Sequence, residues 1–95
     1  MTRLFVCAVK DRALDAFMTP FFVSAVGQAE RMLKDEARRE DSQLGRHPED
    51  FDLYLLGTFF DDTGRMESFD VPQLILRAQD MSEPFRGKTP SASPN

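Results

Sequence analysis

Two acidic clusters carry the residue types from which a site could be built. His47-Pro48-Glu49-Asp50 and Asp61-Asp62-Thr63-Gly64 bracket an apolar run from Leu53 to Phe60. His47, Glu49, Asp50, Asp61 and Asp62 offer hard oxygen ligands and one imidazole. A cation site needs several converging oxygens, and neither cluster has the alternating-ligand spacing of a calcium loop. His47 is the only histidine, which excludes a multi-histidine zinc site within one chain. The plainer reading is that these acids cap turns by accepting backbone N–H bonds. Asp62-Thr63-Gly64 matches the triplet of aspartic proteases, in which two carboxylates share a proton. Here it falls in a tight hairpin turn, and no second apolar-glycine segment follows to support it. Nucleophilic catalysis needs an activated nucleophile and an oriented base. Cys7 and His47 are far apart in sequence, and neither lies in an elbow motif. The glycines are scattered, so no phosphate-cradling loop is present. These residues point to no enzyme, no cofactor and no metal.

Nucleic-acid binding has more behind it. Single strands are held by a basic groove and by aromatic platforms on which bases stack. Arg31, Lys34 and Arg38 fall at helical spacing and share a face, with Arg39 beside them. Phe17, Phe21, Phe22, Phe51, Tyr54, Phe59 and Phe60 are numerous for a chain of 95 residues. On this reading Arg31, Lys34 and Arg38 meet phosphates, while Tyr54, with Phe22 or Phe60, stacks on bases. Arg3, Lys10 and Arg12 would extend the surface. Against it, Glu30, Asp35, Glu36 and Glu40 interleave with the basic residues, as on a solvated, ion-paired helix face. Many of the phenylalanines are also needed to fill a core.

The elements that must position these residues follow from periodicity. Residues 3–10 are almost uniformly apolar and read as a central strand covered on both faces. Asp11-Arg12-Ala13 turns the chain into a short extended partner at 14–18. A helix capped by Ser24 runs to about Glu40, with Ala25, Ala29, Met32, Leu33 and Ala37 as its apolar stripe. Residues 41–47 form a polar loop with Gly45 as breaker. His47-Pro48 closes that loop, and Asp50 caps a single turn. In the strand at 52–60, Leu53, Leu55, Gly57 and Phe59 point one way, and Tyr54, Leu56, Thr58 and Phe60 the other. Gly57 marks a bulge or a close approach. Gly64 suits the hairpin turn. A shorter strand at 65–70 leads to a last helix capped by Asp70, with Pro72 in its first turn and Leu74, Ile75, Ala78 and Met81 on its apolar face. The expected fold is α+β: a small antiparallel sheet of three to four strands with one main helix packed on it. Residues 1–82 make the single domain, and 83–95, rich in Pro and Ser, a disordered tail.

Composition bounds the rest. Hydrophobic residues make up 41% of the chain, enough for one modest core and too many for a disordered chain. A single cysteine rules out an intrachain disulfide; Cys7 reads as a small buried hydrophobe. No apolar run approaches the ~20 residues of a membrane span, so no membrane association is expected. The net charge of −4 disfavours nonspecific polyanion binding and leaves room only for a local patch.

Several segments in order, VKDRALDAF, TPFF, AERML, HPEDFDLYLLGTF and DDTG, resemble the small nonstructural protein of gokushoviruses, the microvirus-family phages with single-stranded DNA genomes. The resemblance covers about residues 4 to 78. It implies a noncatalytic helper in viral genome replication or packaging, working in the host cell cytoplasm and absent from the mature virion. Its implied partners are single-stranded viral DNA and a phage or host replication protein. It carries no catalytic residues; the matched residues His47, Pro48, Asp50, Gly57 and Gly64 read as structural. The other reading is a protein-interaction module that docks through a sheet edge or apolar patch without DNA. An open sheet edge also allows a homodimer.

Overall fold

The computed structural model describes residues 3–82; the expected tail at 83–95 lies outside the described residues. The fold is α+β, and its sheet has five strands. Strand β1 (Arg3–Asp11) lies at the centre. One edge of β1 pairs with β4 (Phe51–Phe60); the other is shared by the short strands β2 (Ala16–Phe17) and β3 (Phe21–Val23). Strand β5 (Arg65–Arg77) pairs with the outer edge of β4, and every pairing is antiparallel. The apolar run in β1 is thus explained: Val6, Cys7 and Ala8 are buried although they point alternately to opposite faces.

One face of the sheet carries the core. Cys7, Val23, Phe51 and Leu53 pack there with Ala29, Leu33 and Ala37 of helix α1 (Val26–Ala37), Leu44 of α2 (Gln43–Arg46) and Ala78 of α3 (Ala78–Ser82). Of the expected helix stripe, Ala29, Leu33 and Ala37 are buried, whereas Ala25 and Met32 are exposed.

Three boundaries differ from expectation, each for a local reason. Helix α1 is capped at Ala25, so Ser24 lies one residue outside it. Gln28 reaches back, its Oε1 accepting from the Ser24 and Ala25 amides. The helix ends at Ala37 rather than Glu40 because Ser42 opens α2. The Ser42 hydroxyl donates to the Glu36 carbonyl and accepts from the Gly45 amide at 2.9 Å. Gly45 is therefore a packing residue inside α2 and not a breaker: a Cβ there would lie 1.8 Å from the Arg39 carbonyl oxygen. Finally, no helix starts at Pro72. Strand β5 runs on through Asp70 and Pro72, which takes Leu74 and Ile75 into the sheet. Leu55 pairs with Gln73 and Gly57 with Ser68, so residues 69–72 bulge out opposite Leu56 alone. Proline, lacking an N–H, is tolerated in such an unpaired stretch of an edge strand.

The turn before β4 and the turn after β1 are locked together. Pro48–Asp50 form one 3-10 turn, as expected. The Arg12 amide donates to the Asp50 carbonyl at 2.8 Å, and its guanidinium bonds the Glu49 carbonyl. That guanidinium also meets the buried Asp52 carboxylate at 3.2 Å. The Asp61–Gly64 hairpin forms as read, with Gly64 at φ 79°.

Gly57 is held by contact with the neighbouring strand. A Cβ there would lie 2.2 Å from the Glu67 carbonyl oxygen, and backbone cannot yield as a side chain tip does. Gly57→Ala is expected to destabilise the fold by ~1–3 kcal/mol, read as a lowered urea midpoint. Gly27→Ala, with open space around it, is expected to stabilise α1 by up to about 1 kcal/mol in the same assay.

Candidate functional site

Directly paired residues of neighbouring strands share a face, so the register defines what the sheet presents away from the helices. Leu4 pairs with Phe59, which pairs with Met66; Phe22 pairs with Val6, Val6 with Gly57, and Gly57 with Ser68. The next rows are Ala8–Tyr54–Leu74 and Phe17–Lys10–Asp52–Arg77. Four aromatic rings therefore share the helix-free face, and they meet in two edge-to-face pairs. Phe17 and Tyr54 lie 5.4 Å apart at 77°, and Phe22 and Phe59 lie 5.3 Å apart at 69°. Phe17 and Phe22 are 41% and 47% exposed, and Met66 and Leu74 are exposed beside them. Large apolar side chains left on one sheet face mark a contact surface. Cations border it. Lys10 lies over the Phe17 ring at 5.6 Å, and Arg77 is exposed at the end of the same row.

The expected DNA-contacting set is split by this geometry. Tyr54 and Phe22 share the aromatic face. Phe60 does not: it pairs with Arg3 and Arg65 on the opposite face. The strand pattern placed Tyr54 and Phe60 together, but Leu56 is an extra residue opposite the Val6–Cys7 step of β1. One bulged residue reverses the alternation beyond it. Phe59 takes the place assigned to Phe60. No signal in the sequence other than Gly57, read as a bulge or close approach, could have found this.

Arg31 and Lys34 on α1 and Arg38 at its C-cap are all exposed, on the helix side of the sheet. Of the three, Arg31 comes near the aromatic face, sharing a shallow pocket with Phe22, Gln28 and Asp35 at the β3 edge. Lys10, from the first strand, comes closer than any of them. Arg12 is taken up by Asp52 and Glu49, and Arg3 lies over the Phe5 ring on the core side.

The acidic clusters are separated. His47, Glu49 and Asp50 bring ligand atoms within 4.8 Å of one another, with His47 Nδ1 3.7 Å from the Glu49 carboxylate. Asp61 and Asp62 lie at the other end of the ten-residue strand β4, about 30 Å away at the usual strand rise. His47 and Asp50 serve through their backbones here: the His47 amide donates to the Gln43 carbonyl, and the Asp50 amide to that of His47. Cys7 is fully buried, and burial pushes its thiol pKa up. It is no nucleophile.

Fold and surface together define a small α+β protein with exposed aromatic and apolar side chains on the helix-free face of its sheet. The Phage ORF5 protein family matches the chain over residues 4–81, and the chain belongs to that family. No curated protein and no solved structure matches it. No helix among the described residues is long and apolar enough to cross a membrane.

A raised pKa lowers the thiolate fraction at any pH below it, and burial blocks access. The Cys7 thiol of the folded protein is therefore expected to react with an aromatic disulfide reagent at pH 8 at least about 100-fold more slowly than in urea. Stopped-flow absorbance reads both rates.

Proposed function

We propose that this phage protein binds single-stranded DNA on the helix-free face of its sheet, without catalysing a reaction, and serves genome replication or packaging. The observation that carries the reading is the row of paired rings, Phe17–Tyr54 and Phe22–Phe59, on a face the helices leave open. Every base has a π-face, so exposed rings spaced along a sheet serve as a sequence-tolerant platform. Lys10, Arg77 and, at the β3 edge, Arg31 supply charge for phosphates. The phage family membership supports a role in the viral cycle. The resemblance to the gokushovirus nonstructural protein points to single-stranded genome handling in the host cytoplasm and to absence from the virion.

The net charge of −4 restricts binding to this face and makes duplex a poor ligand, since stacked bases offer no exposed π-face. Labelled single-stranded oligonucleotide is expected to show salt-sensitive anisotropy that duplex competes for weakly. Tyr54→Ala and Phe59→Ala should each weaken binding roughly 5- to 100-fold. Phe60→Ala, on the opposite face, should leave it within about twofold. Absence of binding by the folded wild type at low salt sinks the proposal; equal effects of Phe59→Ala and Phe60→Ala remove the platform as its site.

A further inference from the structure

The helix side of the molecule carries a second surface, which meets the aromatic face only at Phe17. A groove of about 440 Å³ runs between the turn after β1 and helix α1. Its apolar walls include Leu14, Met18, Phe21 and Met32. Leu14 is 75% exposed, Met18 54% and Met32 51%. The polar side chains lining it are Asp11, Glu36 and Gln43, and no Lys or Arg lines it. Apolar walls with acidic groups and no cation are complementary to an apolar segment that carries positive charge. The same acids would face each other if two copies met groove to groove, which disfavours a second copy as occupant.

The exposed leucine is presented by a fixed turn. Asp11 Oδ1 accepts from the Ala13 amide at 3.0 Å and the Leu14 amide at 3.4 Å. Asp15 closes the turn at φ 54° and pairs with Lys10 at 3.3 Å. Arg12 ties the turn to the Asp50 carbonyl and to Asp52. A large apolar side chain held this firmly in water loses little freedom on binding. Met18 and Met32 opposite it are unbranched and adapt to the shape of what docks.

We infer that this groove docks the apolar face of a cationic amphipathic segment from another protein. Leu14 and Met32 grip the apolar side, and Glu36, whose ion pair with Arg39 at 3.6 Å an incoming cation would share, faces the cations with Asp11 behind it. The inference does not rest on DNA binding.

The test uses the full chain and two fluorescein-labelled helical peptides of about fourteen residues, roughly four turns each. Both carry Leu at i, i+3, i+4 and i+7. One has Lys at its polar positions, the other Glu. The Lys peptide is expected to bind at least about tenfold more tightly than the Glu peptide, a difference of about 1.4 kcal/mol. Leu14→Ser and Met32→Ser, both at exposed positions and so compatible with folding, should each weaken it about fivefold or more. Glu36→Lys should narrow the preference between the peptides. Phe59→Ala should leave peptide binding intact, because neither Phe59 nor its ring partner Phe22 lines the groove, and this separates the site from the aromatic face. The inference is overturned if the peptides bind equally, or if Leu14→Ser and Met32→Ser change nothing. It is also overturned if sedimentation shows a dimer of the free protein that Leu14→Ser dissociates, because the occupant is then a second copy.

Discussion

The extra residue at Leu56 sets the geometry on which the rest of this fold depends. Strand β4 is paired along most of its length on both edges, with β1 and with β5. Its two ladders are both broken at the same place. Against β1 the interruption is a single residue; against β5 four residues, 69–72, are set opposite Leu56. A bulge bends the strand and sharpens its twist, and this one also reassigns every side chain beyond it. Gly57 follows directly, and the Glu67 backbone passes so near that only glycine fits. That approach lies where β5 leaves β4 for its bulge, and the ladder resumes at Gln73 opposite Leu55.

The reassignment decides what is buried and what is displayed. Before the bulge, Phe51, Leu53 and Leu55 face the helices; beyond it, Thr58 and Phe60 take that side and Phe59 moves to the open face. Val6 and Ala8 are buried although no helix covers their face. Rings from the flanking strands lie beside them, Phe22 in register with Val6 and Tyr54 with Ala8. The open face is thus half a second core, closed by aromatic pairs and not by a second layer. Edge-to-face pairs add ~0.5–1.5 kcal/mol beyond their burial, which helps a domain this small hold large rings at its surface. At the other end, the Arg12–Asp52 pair fastens the two turns. Asp52 is 2% exposed, and its Oδ1 has no hydrogen-bond partner. Loss of Arg12 would leave a buried charge wholly unpaired, an arrangement far more costly than the pair itself is stabilising.

What could be read from the sequence follows the reach of each signal. The β1 run, the 3-10 turn at Pro48, the Asp61–Gly64 hairpin and the buried Ala29-Leu33-Ala37 stripe are all local patterns, and each appears where its pattern lies. Ser24 and Pro72 carried equally good local signals and were overridden. Gln28, accepting from the Ser24 and Ala25 amides, fixes the cap at Ala25 instead, and a bulge absorbed the proline. The α2 helix was hidden because its reason for forming, the Ser42 hydroxyl between Glu36 and Gly45, depends on where α1 stops. For the candidate face, Tyr54 and Phe22 were legible as spare aromatics. Phe59, Phe17 and the closeness of Lys10 were not, since all three follow from register, which an alternating pattern cannot fix across a bulge.

The charge balance then constrains how such a face can work. A binder that relies on phosphate contacts gathers cations, and this chain spreads them: Lys34 lies on α1, Arg3 and Arg65 flank Phe60, and Arg39 is engaged with Glu36 and Asp41. Near the aromatic rows remain Arg77, Arg31 and Lys10, the last already paired with Asp15. Three phosphate contacts would give a salt slope of only about −2 for a single strand, too shallow for electrostatics to supply the affinity alone. Four rings at ~1–3 kcal/mol per stacked base would supply more. On the proposed reading the protein holds its ligand mainly through base stacking, and an acidic surface elsewhere keeps duplex and nonspecific polyanion away from it. On that reading one small sheet carries a base-stacking platform on its open face and an acidic, apolar groove on its helix side. The charge that would weaken the first at long range is screened beyond about 10 Å at 0.1 M salt, while at the groove it acts directly on what docks.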